Sequence, residues 1–83
     1  MARHERTLAA VFASPTPTNL KWKDVEALLI AKSARKIEGD GSRVRFELGG
    51  VRLSLHRPHP SPELKRYAVR AVRDFLIEAG VTP

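Results

Sequence analysis

Apolar residues in this chain recur with two different periods, and the switches between them mark out its elements. Between residues 43 and 56 the period is two. Val44, Phe46 and Leu48 alternate with Arg43, Arg45 and Glu47, and Val51, Leu53 and Leu55 alternate with Arg52, Ser54 and His56. Alternation of this kind belongs to strands with one buried face. Gly49-Gly50 between the runs supplies a two-residue hairpin turn. That loop length sets the register, pairing Leu48 with Val51, Phe46 with Leu53 and Val44 with Leu55. The opposite face then pairs Glu47 with Arg52, Arg45 with Ser54 and Arg43 with His56. It is polar and mostly cationic.

Upstream the period lengthens to that of a helix. Trp22, Val25, Leu28 and Leu29 form one stripe and predict a helix over residues 20–33. Asp24 and Glu26 near its start and Lys32 near its end agree with the helix dipole. Ala27, Ile30 and Ala31 widen the apolar surface, so cover on more than one side is expected, with residues 8–12 supplying part of it. Leu8, Val11 and Phe12 predict a short helix in the lead, and Pro15 and Pro17 exclude a helix from the connector 14–19. Residues 34–38 read as a first strand, and Gly39-Asp40-Gly41-Ser42 as a turn.

Beyond the hairpin, Pro58, Pro60 and Pro62 keep residues 57–62 out of the sheet. Ser61 is the expected N-cap of a last helix, with Pro62 at its first position and Glu63 in its first turn. That helix is expected to run to Ala79 and stop at Gly80. Its core stripe is Leu64, Ala68, Ala71, Val72, Phe75, Leu76 and Ala79, while Arg66, Arg70 and Arg73 share another face. The fold class is therefore α+β, in the order α-β-β-β-α. Two helices cover one face of a three-stranded antiparallel sheet, and a short helix precedes them. This is the layout of the double-stranded-RNA-binding domain. Residues 1–19 are expected to form a lead and residues 20–83 the domain.

The 83 residues suffice for a single thin-cored domain, and no cysteine is present to brace it with a disulfide or a thiolate metal site. No stretch is long and apolar enough to span a bilayer, and the charged start followed by a short apolar run is no secretion signal, so a cytoplasmic location is expected. A formal charge of +6 on so small a body points to an anionic partner, with nucleic acid foremost. The glycine pairs are turns and fit no nucleotide-binding spacing. No nucleophilic triad is visible, and no cofactor or metal is expected. His56 and His59 lack further ligands, and His59 between two prolines has either a structural role at the turn or a contact to RNA.

Lys23-Asp24-Val25-Glu26-Ala27-Leu28-Leu29, then Gly41-Ser42 opening the second strand, then Pro58-His59-Pro60, Glu63-Leu64-Lys65, Val72-Arg73 and Ala79-Gly80 stand in an order that resembles the HicA toxins of type II toxin–antitoxin systems. The resemblance covers about residues 21–81. It implies a fold like that of the double-stranded-RNA-binding domain, ribosome-independent cleavage of mRNA, and neutralisation by a HicB antitoxin that covers the active site. It also places the family's catalytic histidine directly after the Gly-Ser pair. Here that position is Arg43, a departure that bears on nuclease activity.

Metal-free RNA cleavage needs a base, an acid and cations around the phosphate. Arginine holds its proton and cannot readily act as the base, but it binds phosphate well. On this reading His56, the cross-strand neighbour of Arg43, transfers protons while Arg43 and Arg45 hold the phosphate; the alternative is that His56 is an ordinary exposed strand residue. Ser42, Arg43, Arg45, Arg52, His59, Lys65, Arg66, Arg70 and Arg73 are the candidate RNA contacts. The arginine stripe of the last helix reads equally as a solvated face, with Asp74 and Glu78 near enough to pair with it. Trp22, Phe46 and Phe75 belong to the core, and Glu47 and Arg52 form an exposed cross-strand pair. Three functions stay open: an RNA-cleaving toxin, a silent RNA-binding module, and a basic domain that docks an acidic protein.

Overall fold

The hairpin is the frame on which the rest is hung. In a computed structural model describing residues 2–83, β2 (Arg43–Leu48) and β3 (Val51–His56) pair antiparallel. Leu48 lies opposite Val51, Phe46 opposite Leu53, Val44 opposite Leu55 and Arg43 opposite His56, the register set by the glycine doublet. Gly49 and Gly50 have φ of 57° and 81°, the pair of positive values that a type I′ turn requires. β1 (Arg35–Glu38) pairs antiparallel with the other edge of β2, giving a sheet of order β1-β2-β3. Lys36 lies opposite Phe46 and Glu38 opposite Val44, while Arg35 and Ile37 lie opposite Glu47 and Arg45. Because side chains alternate across a strand, Ile37 falls on the cationic face and Lys36 on the covered one.

α2 (Trp22–Ala31) and α3 (Arg66–Glu78) cover the apolar face. Val44, Phe46, Leu53 and Leu55 meet Trp22, Val25, Leu28 and Leu29 from α2 and Leu64, Val69, Val72, Phe75 and Leu76 from the last segment in one core. The Trp22 and Phe46 rings lie 6.2 Å apart at 52°, within the range of favourable tilted aromatic pairs. α1 (Arg3–Val11) sends Leu8 and Val11 into the same core and packs on both other helices.

Both core helices end alike. The residue after the C-cap takes positive φ, Ser33 at 74° and Gly80 at 82°. Ala34 N–H bonds Leu29 C=O and Val81 N–H bonds Leu76 C=O, which closes a Schellman turn in each case.

Three expectations need correction. The last helix begins at Arg66 after the N-cap Lys65, not at Pro62. Ser61 Oγ instead accepts from Glu63 N–H, closing a local turn, and residues 62–64 run extended beside residues 20–22. Trp22 N–H donates to Pro62 C=O at 2.9 Å and Leu64 N–H to Leu20 C=O at 2.8 Å. Backbone groups that a helix would have satisfied locally are thus satisfied across the chain. Second, α1 packs on α2 as expected, but the cover does not reach the whole apolar width, since Ile30 is 51% exposed and Ala31 is exposed as well. Third, the stripe of α3 is rotated. Val69 is fully buried, while Ala71 and Ala79 are half-buried. α1 also touches α3 directly.

Candidate nucleic-acid interface

The uncovered face of the sheet presents Arg35 and Ile37 from β1, Arg43, Arg45 and Glu47 from β2, and Arg52, Ser54 and His56 from β3. Its chemistry concentrates at the end where β2 begins and β3 finishes. The preceding turn is closed by Arg43 N–H on Asp40 C=O at 3.2 Å and by Gly39 N–H on Arg43 C=O at 2.8 Å. Arg57 N–H bonds Ser42 C=O at 2.8 Å and carries the ladder one step past the Arg43–His56 pair. These backbone bonds fix the spacing of Ser42, Arg43 and His56.

Ser42 Oγ lies 3.3 Å from His56 Nδ1. This bond engages one ring nitrogen and leaves Nε2 directed to other uses. Arg43 is exposed and makes no ion pair among the described residues, so its guanidinium donors are available. Arg45 and Arg52 are partly engaged: Glu47 Oε2 lies 3.2 Å from Arg45 Nε and 3.6 Å from Arg52 Nε. The expected Glu47–Arg52 pair is therefore present, widened to three members. A shallow concavity of about 520 Å³ lies at this end, lined among others by Ile37, Asp40, Arg43, Arg45, Ser54 and His56.

A second set of charges braces the same end from the covered side. Arg57 Nη2 donates to both carboxylate oxygens of Glu38, at 2.6 and 2.5 Å. Lys36 Nζ bridges Glu38 at 3.0 Å and Glu26 of α2 at 2.8 Å. The Arg57 hydrogen bonds, and then that of Lys36, hold the Glu38 carboxyl below its ordinary range. Glu26, and then Glu38, raise Lys36. Sequence reading did not find this brace. Its partners are 19 residues apart, and only the β1–β2 register, which puts Glu38 beside Val44 at the sheet end, brings them together.

The remaining candidates are dispersed. His59 is exposed in the loop after β3, and Lys65 is exposed at the start of α3. Arg66 Nε donates to Thr16 C=O at 3.2 Å and ties the connector to the helix. Arg70 is exposed and Arg73 half-buried, and neither pairs with Asp74 or Glu78 among the described residues. α3 covers the sheet's apolar face, so these arginines point away from Arg43 and His56. Ser42, Arg43, Arg45 and His56 form one group with Arg52 at its margin, and the helix arginines belong to a different surface. No described helix is long and apolar enough to cross a membrane.

Residues 22–81 match the family model described as the HicA toxin of bacterial toxin–antitoxin systems, which is most of the chain. No curated protein and no solved structure matches it.

Proposed function

The chain belongs to the HicA toxin family of bacterial toxin–antitoxin systems, and we propose that it is an RNA-binding toxin that cleaves mRNA in the cytoplasm without a metal ion. A toxin of such a system has an antitoxin for its partner. A HicB-like antitoxin covering the uncovered sheet face would silence it by excluding RNA. Residues 20–83 carry the RNA-directed activity in this reading, and residues 1–19 are the lead, whose helix α1 packs on α2 and α3.

The observation that carries the reading is the juxtaposition of an unpaired arginine and a serine-held histidine on a cationic strand pair. Arg43 and Arg45 bind the scissile phosphate through charge-assisted hydrogen bonds. Ser42 fixes the His56 ring through Nδ1, so that Nε2 is aimed by the hairpin and not left to rotate. Nε2 takes the proton of the ribose 2′-hydroxyl, and the oxygen attacks phosphorus. The bond from phosphorus to the 5′-oxygen breaks, and that oxygen takes a proton from water. The imidazolium returns its proton to solvent, leaving a 2′,3′-cyclic phosphate and a 5′-hydroxyl. The arginines stabilise charge as it grows on the phosphoryl oxygens.

Purified protein incubated with RNA in excess EDTA tests this directly. The expected result is cleavage with cyclic phosphate ends, lost by about a hundredfold or more in His56→Ala, with Arg43→Ala weakening both binding and rate. Active His56→Ala protein would end the mechanism. A second reading has one observation in its favour, the arginine at the position where the family resemblance places a histidine. It is a toxin-family domain that binds RNA without cutting it, and intact RNA held tightly by the wild-type protein would establish that instead.

A further inference from the structure

Three acidic residues belong to the sheet and its turns, and two of them are neutralised in place. Glu38 is held by Arg57 and Lys36, and Glu47 is shared by Arg45 and Arg52. Asp40 is exposed, lines the concavity beside Arg43 and His56, and has neither an ion pair nor a side-chain hydrogen bond among the described residues. A free carboxylate here opposes phosphate binding, because it places a negative charge near the two arginines that would hold the anion. It therefore matches something other than phosphate.

The neighbouring apolar group narrows the choice. Ile37 is half-buried and lines the same concavity, and the β1–β2 register sets it opposite Arg45. It is an aliphatic side chain on an otherwise polar part of the sheet face. An aliphatic side chain that lines a concavity is a surface for the flat face of a nucleobase, and unpaired bases are commonly read by face contacts together with hydrogen bonds to their edges. The volume falls in the range of small-ligand sites. A carboxylate has only acceptors to offer. Guanine alone among the four bases presents two adjacent donors on its Watson–Crick edge, N1–H and the N2 amino group. Adenine and cytosine place an acceptor next to their amino group, and uracil has a single donor between two acceptors.

We propose that this concavity is a guanine subsite next to the scissile phosphate, with Ile37 packing on one face of the base and Asp40 accepting its two donors. The proposal rests on the RNA-cleaving reading for its biological setting, but base recognition is measurable without cleavage. Guanosine, adenosine, cytidine and uridine 3′-monophosphates are titrated separately into the full chain and followed by NMR shifts of backbone amides. Guanosine monophosphate is expected to bind about tenfold more tightly than the other three, with shifts at residues 37, 40, 43 and 56. Asp40→Asn should bring the four to within about twofold of one another, since a carboxamide no longer offers two acceptors. Ile37→Ala should weaken all four nucleotides together.

Equal affinity for the four nucleotides in the wild-type chain would overturn the subsite, as would a guanine preference that survives Asp40→Asn. Cleavage of RNAs carrying a single guanine is measured alongside. Cuts at that guanine support the subsite, and cuts spread over all bases sink it while leaving the nuclease reading intact. Guanine-selective binding with no cleavage sinks the nuclease reading and leaves the subsite standing. Loss of cleavage at every base in Asp40→Asn with guanine selectivity retained would move Asp40 into the chemistry and out of this role.

Discussion

Ser33 and Gly80 occupy the same backbone conformation at the ends of two helices, one with a side chain and one without. Both have strongly positive φ, and each sits in a Schellman turn. Glycine adopts this region freely, whereas a β-carbon there is unfavourable. Ser33→Gly should therefore stabilise the fold, by about 0.5–1 kcal/mol. Gly80→Ala should destabilise it by a similar amount, because a β-carbon at residue 80 meets open space and only the backbone conformation is at issue. Urea titration of both variants checks the opposite signs; a destabilised Ser33→Gly would show that the serine makes up for its backbone in some other way.

The residue scale was also where the sequence was most open to misreading. Ser61-Pro62-Glu63 has the composition of a helix start, and Ser61 does accept from Glu63 N–H, but as a turn. What moves the helix start to Arg66 is the backbone pairing of residues 62–64 with residues 20–22, a non-local event that no window of sequence contains. Val69 is fully buried although it lies outside the stripe the sequence marks, because the elements packed on α3 surround it in space and not in sequence.

At the scale of elements, the hairpin was legible because three constraints agree: a period of two, a two-glycine loop, and one apolar face. The positions of Arg43, Arg45 and His56 on the open face follow from those alone, and with them the centre of the candidate site. β1 was legible as a strand but not in its register, so neither the bracing of Glu38 by Arg57 nor the placing of Ile37 on the open face could be read.

The brace makes a pH prediction. Arg57 and Lys36 depress the folded-state pKa of Glu38, so its ionised form favours the folded protein. The associated stability is present above the unfolded pKa of an ordinary glutamate and is lost as pH falls through the depressed folded value. Thermal unfolding of wild type and Glu38→Gln should differ near neutrality and converge in acid. The difference is expected to be small because the group is exposed. A gap that persists unchanged at low pH would show that the carboxylate's charge is not what matters.

Taken as a whole, the molecule has two cationic surfaces separated by its own thickness. The sheet face carries Arg43 and Arg45, and the exposed side of α3 carries Arg70. A short single-stranded oligonucleotide can lie on one of them at a time, whereas a long RNA can bend around to both. With a short oligonucleotide, Arg43→Ala should reduce the slope of log affinity against log salt by about 0.7, the share of one phosphate contact, and Arg70→Ala should leave it unchanged. With a long RNA both changes should reduce the slope. Equal effects of the two variants on the short strand would place the principal binding track on the helix and displace the sheet face from that role.

The pairing of residues 20–22 with 62–64 has one more consequence. It means that the polypeptide between Arg57 and Ser61 is not what holds α3 in place. Two backbone hydrogen bonds and the buried side chains from Leu64 to Leu76 already do so. The chain should accordingly tolerate being severed between Pro58 and His59. Produced as two halves, residues 1–58 and 59–83 are expected to find each other on mixing and to restore the helical signal of the intact protein. Such a divided toxin could be kept harmless until its pieces meet, and failure of the halves to associate would show that the proline-rich loop is a tether the fold requires.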